Sequence, residues 1–450
     1  MHTGGIMKSN EIDMTSGSLF KRIFIFAIPL MLSNLLQVMF NLADVAVVGN
    51  FVGAIALGAV GSTSILVMMT TGMMLGMSGG VNAVVALYVG AKDNRNVRKA
   101  VHTSIIICFA LGILLLLAGL FLTRPMLTLI GTKDELIDGA AIYLTVYLLG
   151  SPALALYNYG NAVLSAIGDT KRPLIYLAIA GVINVVLNLV FVMGFKVGVV
   201  GVALASIISQ YISAFLVIKF LITCKADYGL NIKEIGIDKK IAARVLAIGV
   251  PAAVQYTLFA VANLYIQSAV NSFDHVVVEG NSAAANADNI VYDMMAAFYT
   301  ACTSFIAQNL GARKKDRIKK AFFVTQMYSA LIGVVFGALL FIFRIQFLHL
   351  FTNDDQVVYY GGIRLAIMSC SYFISAFMDN PAAGARGLGK SVIPTIIVIM
   401  GSVVFRIIWV CTIFASIRTL ESLYLVYASA WAFTAIVGYI YFWYEYRKCM

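Results

Sequence analysis

Twelve apolar runs, each long enough to cross a bilayer as a helix, restrict this chain to one kind of fold. Between charged residues and Gly, Pro or Asn breaks they fall at 23–48, 54–89, 100–122, 135–157, 173–193 and 199–222, then at 242–268, 283–310, 321–343, 357–380, 392–414 and 422–444. One crossing takes about 20 apolar residues, so the expected fold is an all-α integral membrane protein with twelve spans. The second run is too long for one straight crossing. Its Gly72, Gly76, Gly79 and Gly80 predict either a kink or an end that leaves the membrane.

Composition agrees with the runs and excludes several function classes. The 450 residues are 61% hydrophobic and only 12% charged, against about 25% charged in a soluble domain. In a soluble chain a net charge of +11 would raise nucleic-acid binding. Here the basic residues sit in short segments between apolar runs, where they set topology, so no nucleic-acid partner is expected. Six scattered cysteines form no CxxC pair and imply no disulfide framework. The four histidines are scattered along the chain, with no paired-His motif, so neither a metal nor another cofactor is expected. The first run follows a polar stretch without a small-residue cleavage pattern and is expected to be a retained span.

The distribution of Lys and Arg orients the spans. Most of the 32 basic residues fall in segments on one side, including Lys92 to Lys99, Lys225 to Arg244 and Arg313 to Lys320, and both termini lie on that side. By the positive-inside rule both termini are expected in the cytoplasm of a multi-pass protein of the plasma or inner membrane.

Internal repetition divides the chain. Gly90-Ala91 recurs as Gly311-Ala312, 221 positions later, and the same offset pairs Lys99 with Lys320, Asp134 with Asp355, Gly168 with Gly389, and Pro173 with Pro394. An offset of 222 pairs Pro29 with Pro251 and Asn41 with Asn263. One near-constant offset over both halves indicates two repeats of six spans. Because six is even, the repeats are parallel, related by an axis along the membrane normal. The expected organisation is a cytoplasmic tail at 1–19, a six-helix bundle at 20–222, a cytoplasmic linker at 223–240, a second bundle at 241–444 and a tail at 445–450.

The residues that carry chemistry are the polar ones inside the spans. Asn34, Gln37, Asn41 and Asp44 of the first span lie three, four and three positions apart, on one helix face. An ionisable group at membrane depth faces a bundle interior or an aqueous cavity, which makes Asp44 a functional candidate. The bland alternative is a buried acid satisfied by neighbouring amides. Asn184 and Asn188 are one turn apart on the fifth span; Gln255, Tyr256, Asn263, Tyr265 and Gln267 occupy the seventh; Asn286, Asp288, Asn289 and Asp293 the eighth. Arg364 lies in the tenth, which ends at Asp379-Asn380, and Arg406 in the eleventh. Such groups either line a wet interior or bond helix to helix. Asp379 reads equally as an interfacial acid, and Arg364 and Arg406 as structural partners of Asp288 or Asp293. Met68, Met69, Met73, Met74 and Met77 of the second span offer either a compliant ligand wall or plain packing.

Several stretches together resemble one transporter family. They are NLADVAVVG in the first span, the loops GAKDNRNVRKA and GARKKDRIKKA, the elements AIGDTKRP and GLGKSVIP, and GVVGVALAS opening the sixth span. The chain is similar, from about Phe20 to Tyr444, to the multidrug and toxic compound extrusion (MATE) transporters, and most to their DinF-like branch. The resemblance implies a two-lobed exporter exchanging inward-moving protons or sodium ions for outward-moving, usually cationic and amphipathic, compounds. It implies a proton or cation site at Asp44, with Asn41, Asn184, Asn188 and Ser206 around it. Position 188 departs from the family's acid, which makes a single protonatable carboxylate the simpler expectation. Gln255 stands where some branches carry a Glu for a second cation, and Asp293 or Asp379 are the available substitutes. Asn34, Gln37, Gln255, Tyr256, Asn263, Asp293 and Asp379 are expected to line the substrate cavity, and Pro29 and Pro251 to act as hinges.

The expected function is thus secondary active efflux of amphipathic small molecules, most simply by proton antiport, with small-molecule substrates and the lipid bilayer as partners and the chain acting as a monomer. A flippase or exporter of a lipid-linked or endogenous amphipathic molecule is the alternative. A channel has no need of two rocking halves. An intramembrane enzyme would need a nucleophile, base or metal cluster, and no HExxH or paired-His motif is present.

Overall fold

A computed structural model describes residues 10–449, apart from the side chain of Ala54. The first nine residues of the tail expected at 1–19, and Met450 of the tail at 445–450, lie outside the described residues. Among those described there is no strand. Ten helices are long and apolar enough to cross a membrane, and twelve spans result when each of two bent helix pairs is taken as one. The first three spans are Leu19–Phe51, Ala54–Gly90 and Asn94–Leu129. The fourth is the bent pair Asp134–Leu148 and Ser151–Ala166, followed by Lys171–Gly194 and Val199–Thr223. The second half repeats the scheme with Lys239–Val270, His275–Gly311, Lys315–Ile342, the bent pair Asp355–Ser369 and Tyr372–Gly387, then Val392–Phe414 and Leu420–Lys448.

The two bends, 46° in the fourth span and 49° in the tenth, lie inside runs that hydropathy reads as single segments. At the first, Gly150-Ser151-Pro152 supplies the break, since Pro152 cannot donate into the preceding turn. The second span, in contrast, is one unbroken helix of 37 residues. At about 1.5 Å per residue it outruns the hydrocarbon layer, so an end of it leaves the membrane. Its glycines serve close approach. A Cβ on Gly76 would meet the backbone of Ala253 at 2.3 Å, and one on Gly80 the Val245 carbonyl at 2.6 Å. Of its methionines, Met74 packs with Leu115 and Ala155, and Met77 lies against Gly249, so both are core.

The repeat is visible in the backbone itself. Lys92 and Arg313, ending the second and eighth spans, both adopt positive φ, 54° and 56°. Gly168 and Gly389 turn in the left-handed region at 93° and 79°, where a side chain would be strained. The pairings repeat too: spans two with three, two with four, three with four, four with six and five with six recur as eight with nine, eight with ten, nine with ten, ten with twelve and eleven with twelve.

The helices sort into two compact units that trade segments. Among the described residues one comprises 10–13 and Leu32–Ala253, the other Met14–Met31 and 254–449. The first and seventh helices are therefore each divided, two residues after Pro29 and two after Pro251. Within unit 1, Tyr228 donates to Glu11 (2.7 Å). Its linker docks on the third span through Arg98–Glu234 and Lys99–Asp238 (2.8 Å), and the hydrogen bond from Lys99 holds the Asp238 carboxyl below its usual value. Within unit 2, Phe26 packs edge-on against Phe305 at 5.6 Å. Arg317 donates to the carbonyls of Met14, Ser16 and Gly17.

Beside an apolar core, burial differs in two ways from that of a water-soluble protein. Phe121, Ile440, Ile436 and Phe215 are among the exposed side chains, while Asn188, Asn309 and Thr325 are fully buried. With lipid as solvent, apolar groups face outward at no cost and polar groups find partners inside.

Candidate functional site

The register of the first span against the fifth is set by a ring in a gap. Phe40 fills the space where Gly181 lacks a side chain, since a Cβ there would fall 1.7 Å from the ring. One turn beyond each contact stand Asp44 and Asn184, with Asn188 a turn further. The Asn188 amide donates to Asp44 Oδ1 at 2.5 Å and to Asn184 Oδ1 at 3.2 Å. From the sixth span Ser206 donates its hydroxyl to Asp44 Oδ2 at 3.2 Å and accepts from Asn184 at 3.3 Å. The structure thus gathers Asp44, Asn184, Asn188 and Ser206 into one hydrogen-bonded group within unit 1. Directly after Asn188 the helix widens into a π turn, Val190–Gly194, a local irregularity often found beside functional groups. Tyr143 and Tyr147, stacked at 6.1 Å, pack against the cluster formed around Val47 and Val48, one turn past Asp44.

The remaining first-span residues stand apart from this group. Gln37 and Asn41 are exposed and Asn34 is half-buried. They share the helix face with Asp44, but only Asp44 enters the fifth- and sixth-span network.

Unit 2 holds a second polar interior with a different sign. Arg364 is 5% exposed and donates to Asn281 and to Asp288. Tyr372 donates to the other Asp288 oxygen at 2.5 Å, and Tyr424 to Asn281 at 3.2 Å. Arg406, 3% exposed, donates from Nη1 to Asn263 at 3.2 Å and lies over the Tyr427 ring at 4.5 Å. Arg364 lies over the same ring at 5.7 Å. Of the two arginines only Arg364 has an ion-pair partner among the described residues, and it is Asp288. The reading of Arg406 as neutralised by Asp288 or Asp293 is thereby corrected. Asp379 is also not an interfacial acid: it is buried, with Oδ2 unbonded, in the second arm of the tenth span. Gln255 is buried and accepts from Arg386 at 2.7 Å. Tyr256 and Tyr292 share the electrostatic surroundings of Asp379 and Asp293, and Asn263, where Arg406 is anchored, is exposed.

Sequence reasoning missed Asn281, Tyr424 and Tyr427, which contact the two guanidiniums, and Tyr372, which donates to Asp288. Arg364 and Asp288 are 76 positions apart, on different spans. A tyrosine beside a buried arginine leaves no spacing signature in one sequence. Among the described residues, no three or more His, Cys, Asp and Glu side chains gather where they could hold a metal ion.

Comparison with known proteins places this geometry. The MatE family model matches residues 29–190 and again 251–412, the two halves found above. The chain is 29% identical over 377 residues to the probable multidrug resistance protein YpnP of Bacillus subtilis (strain 168), covering 83% of this chain and 84% of that one. It is 27% identical to the probable multidrug resistance protein YoeA of the same strain, over 96% and 95% of the two chains. In fold it is similar to a MOP superfamily transporter from Pyrococcus furiosus Vc1, with a TM-score of 0.92, 21% identity, and 98% and 99% of the chains covered. A repeated family match, relatives that are transporters rather than enzymes, and twelve helices in two repeats lead to one conclusion: the chain belongs to the MatE family of multidrug efflux transporters.

Proposed function

We propose that this protein is an antiporter that exports amphipathic, often cationic small molecules across the cell membrane by alternating access of its two lobes, and that the inward-moving ion is a proton carried by Asp44. The observation that carries this reading is the composition of the Asp44 group: one carboxylate, two amides and one hydroxyl. A single acid held by neutral partners can change charge without leaving a second charge uncompensated. Asn188 suits both states. Its amide N–H serves the carboxylate, and its Oδ1, buried and without a partner, becomes the acceptor for a carboxylic acid once the amide turns over. A neighbouring acid at position 188 would favour a metal cation instead.

In this mechanism charged Asp44 attracts a cation, and protonation from outside removes the attraction and favours release. Coupling requires that the two conformations differ in affinity for proton and for substrate. Pro29 and Pro251, each inside a continuous helix and each just ahead of the point where that helix passes between units, are the hinges.

The test is transport by purified protein in liposomes. An imposed pH gradient drives ethidium movement, a sodium gradient alone does not, and Asp44→Asn abolishes the response. Full coupled transport by that variant removes Asp44 from the mechanism; equal driving by sodium overturns the proton. Asn188→Asp, which adds a second carboxylate, brings in a response to sodium.

A further inference from the structure

The geometry points to a binding site for an anionic group, a carboxylate or phosphate, at Arg406 in unit 2. This rests on the transport reading and adds to it the chemistry of what the second half recognises.

A guanidinium has five N–H donors, and inside a membrane protein each unmet donor and the charge itself are costly. Arg364 meets the cost of its charge, with a carboxylate on one side, an amide on another and two tyrosine rings against it, although its Nε too is buried without an acceptor. Arg406 does not. It is 3% exposed, forms no ion pair among the described residues, and has one hydrogen bond, to Asn263. Its Nε is buried without an acceptor. Asp379 and Asp288 act on it through space only, and neither forms an ion pair with it. The rings of Tyr427 at 4.5 Å and Phe259 at 5.9 Å support the cation but supply no lone pair to its N–H edge. What is missing at that edge is an acceptor with negative charge, the group that the planar fork of arginine binds best.

Arg406 is within reach of such a group. Asn263, bonded to Nη1, is exposed, so the guanidinium lies one side chain in from the surface of the unit. Arg364, paired with Asp288, lies 5.7 Å from the centre of the same Tyr427 ring. The anion's source is either a transported solute with an acidic end or the headgroup of an anionic lipid.

Binding of N-dansylglycine and of its carboxamide to the full chain in dodecyl maltoside separates charge from shape. The readout is energy transfer from tryptophan, since Trp431 lies 5.8 Å from Tyr427. The carboxylate is expected to bind about tenfold more tightly than the carboxamide in the unaltered protein, a comparison that needs no variant. Arg406→Gln abolishes the preference and Arg406→Lys keeps part of it. In nanodiscs, displacement of the carboxylate by phosphatidylglycerol but not phosphatidylcholine identifies a lipid headgroup as the source, and no displacement identifies a solute. Equal affinity for carboxylate and carboxamide without displacement by phosphatidylglycerol overturns the site, as does a preference that survives in Arg406→Gln. Asp44→Asn must keep the carboxylate preference while losing pH-driven transport. Loss of the preference alone, with coupled transport intact in the unaltered protein, sinks this inference and spares the antiport reading.

Discussion

Asp44 and Arg406 occupy comparable corners of the two halves and carry opposite charges. The offset of 222 that pairs Asn41 with Asn263 also pairs Asn184 with Arg406, and sets Asp44 opposite Ile266. In unit 1 the first and fifth spans meet at a carboxylate held by one amide and a hydroxyl, with a second amide bonded to both of these. In unit 2 the seventh and eleventh meet at a guanidinium held by one amide and an aromatic face. Backbone turns and helix pairings recur in both halves because packing constrains all of them at once. A charge in a polar interior is constrained only by its immediate partners, and can be exchanged by changing a few side chains. The two halves are thus alike as scaffolds and unlike as electrostatic surfaces.

The comparison is broken most directly by neutralising its first member. Asp44→Asn is expected to abolish pH-gradient-driven dye transport in liposomes, whereas Arg406→Gln leaves proton coupling in place and alters which ligands bind. If both variants lose coupling alike, the division of labour is wrong. The next largest effect is on stability. Asp288→Asn leaves Arg364 charged and buried without its acid, and is expected to cost about 3–5 kcal/mol, read as a large drop in melting temperature. Asn188→Ala, removing one donor from Asp44, should cost only about 1–3 kcal/mol in the same measurement. Gly76→Ala sets a methyl against the Ala253 backbone, and about 1–3 kcal/mol of strain is expected, whereas Ala297→Gly near the corresponding place in unit 2 should cost less. The smallest effect is at the linker. Asp238 is held below its usual value by Lys99, so its contribution is present above the ordinary carboxylate value near 3.8 and is lost as pH falls through the lower, folded value. The melting-temperature difference between the unaltered protein and Asp238→Asn should therefore shrink on going from pH 7 to pH 3.

Twelve spans and their division into two repeats were legible in the sequence because length, hydropathy and a fixed offset are one-dimensional properties. The group around Asp44 was legible in part for a different reason: Asp44, Asn184, Asn188 and Ser206 stand at positions of a family pattern, with Asn188 departing from its acid and Asn41 lying outside the group, and Asn184 and Asn188 lie one turn apart on a helix. The bends in the fourth and tenth spans were not, since a proline at Gly150-Ser151-Pro152 and a serine-rich break near Cys370 leave the hydropathy of the run intact. Nor was the choice of Arg364 over Arg406 as the partner of Asp288. It depends on which faces of the eighth and tenth helices meet, and either arginine satisfied the sequence. Asp379 lay near the end of an apolar run, but the helix continues to Gly387 and buries it.

The exchanged helix ends have a consequence in time. Residues 14–31 leave the ribosome well before the side chains that hold them, Phe305, Asn309 and Arg317, which come about 300 positions later. At roughly 5–20 residues per second the opening segment waits on the order of 15–60 s for its seat. Unit 1 closes sooner, once Ala253 has been made, so the first helix must be held at its far end by Asp44 and Phe40 while its near end is still without a partner.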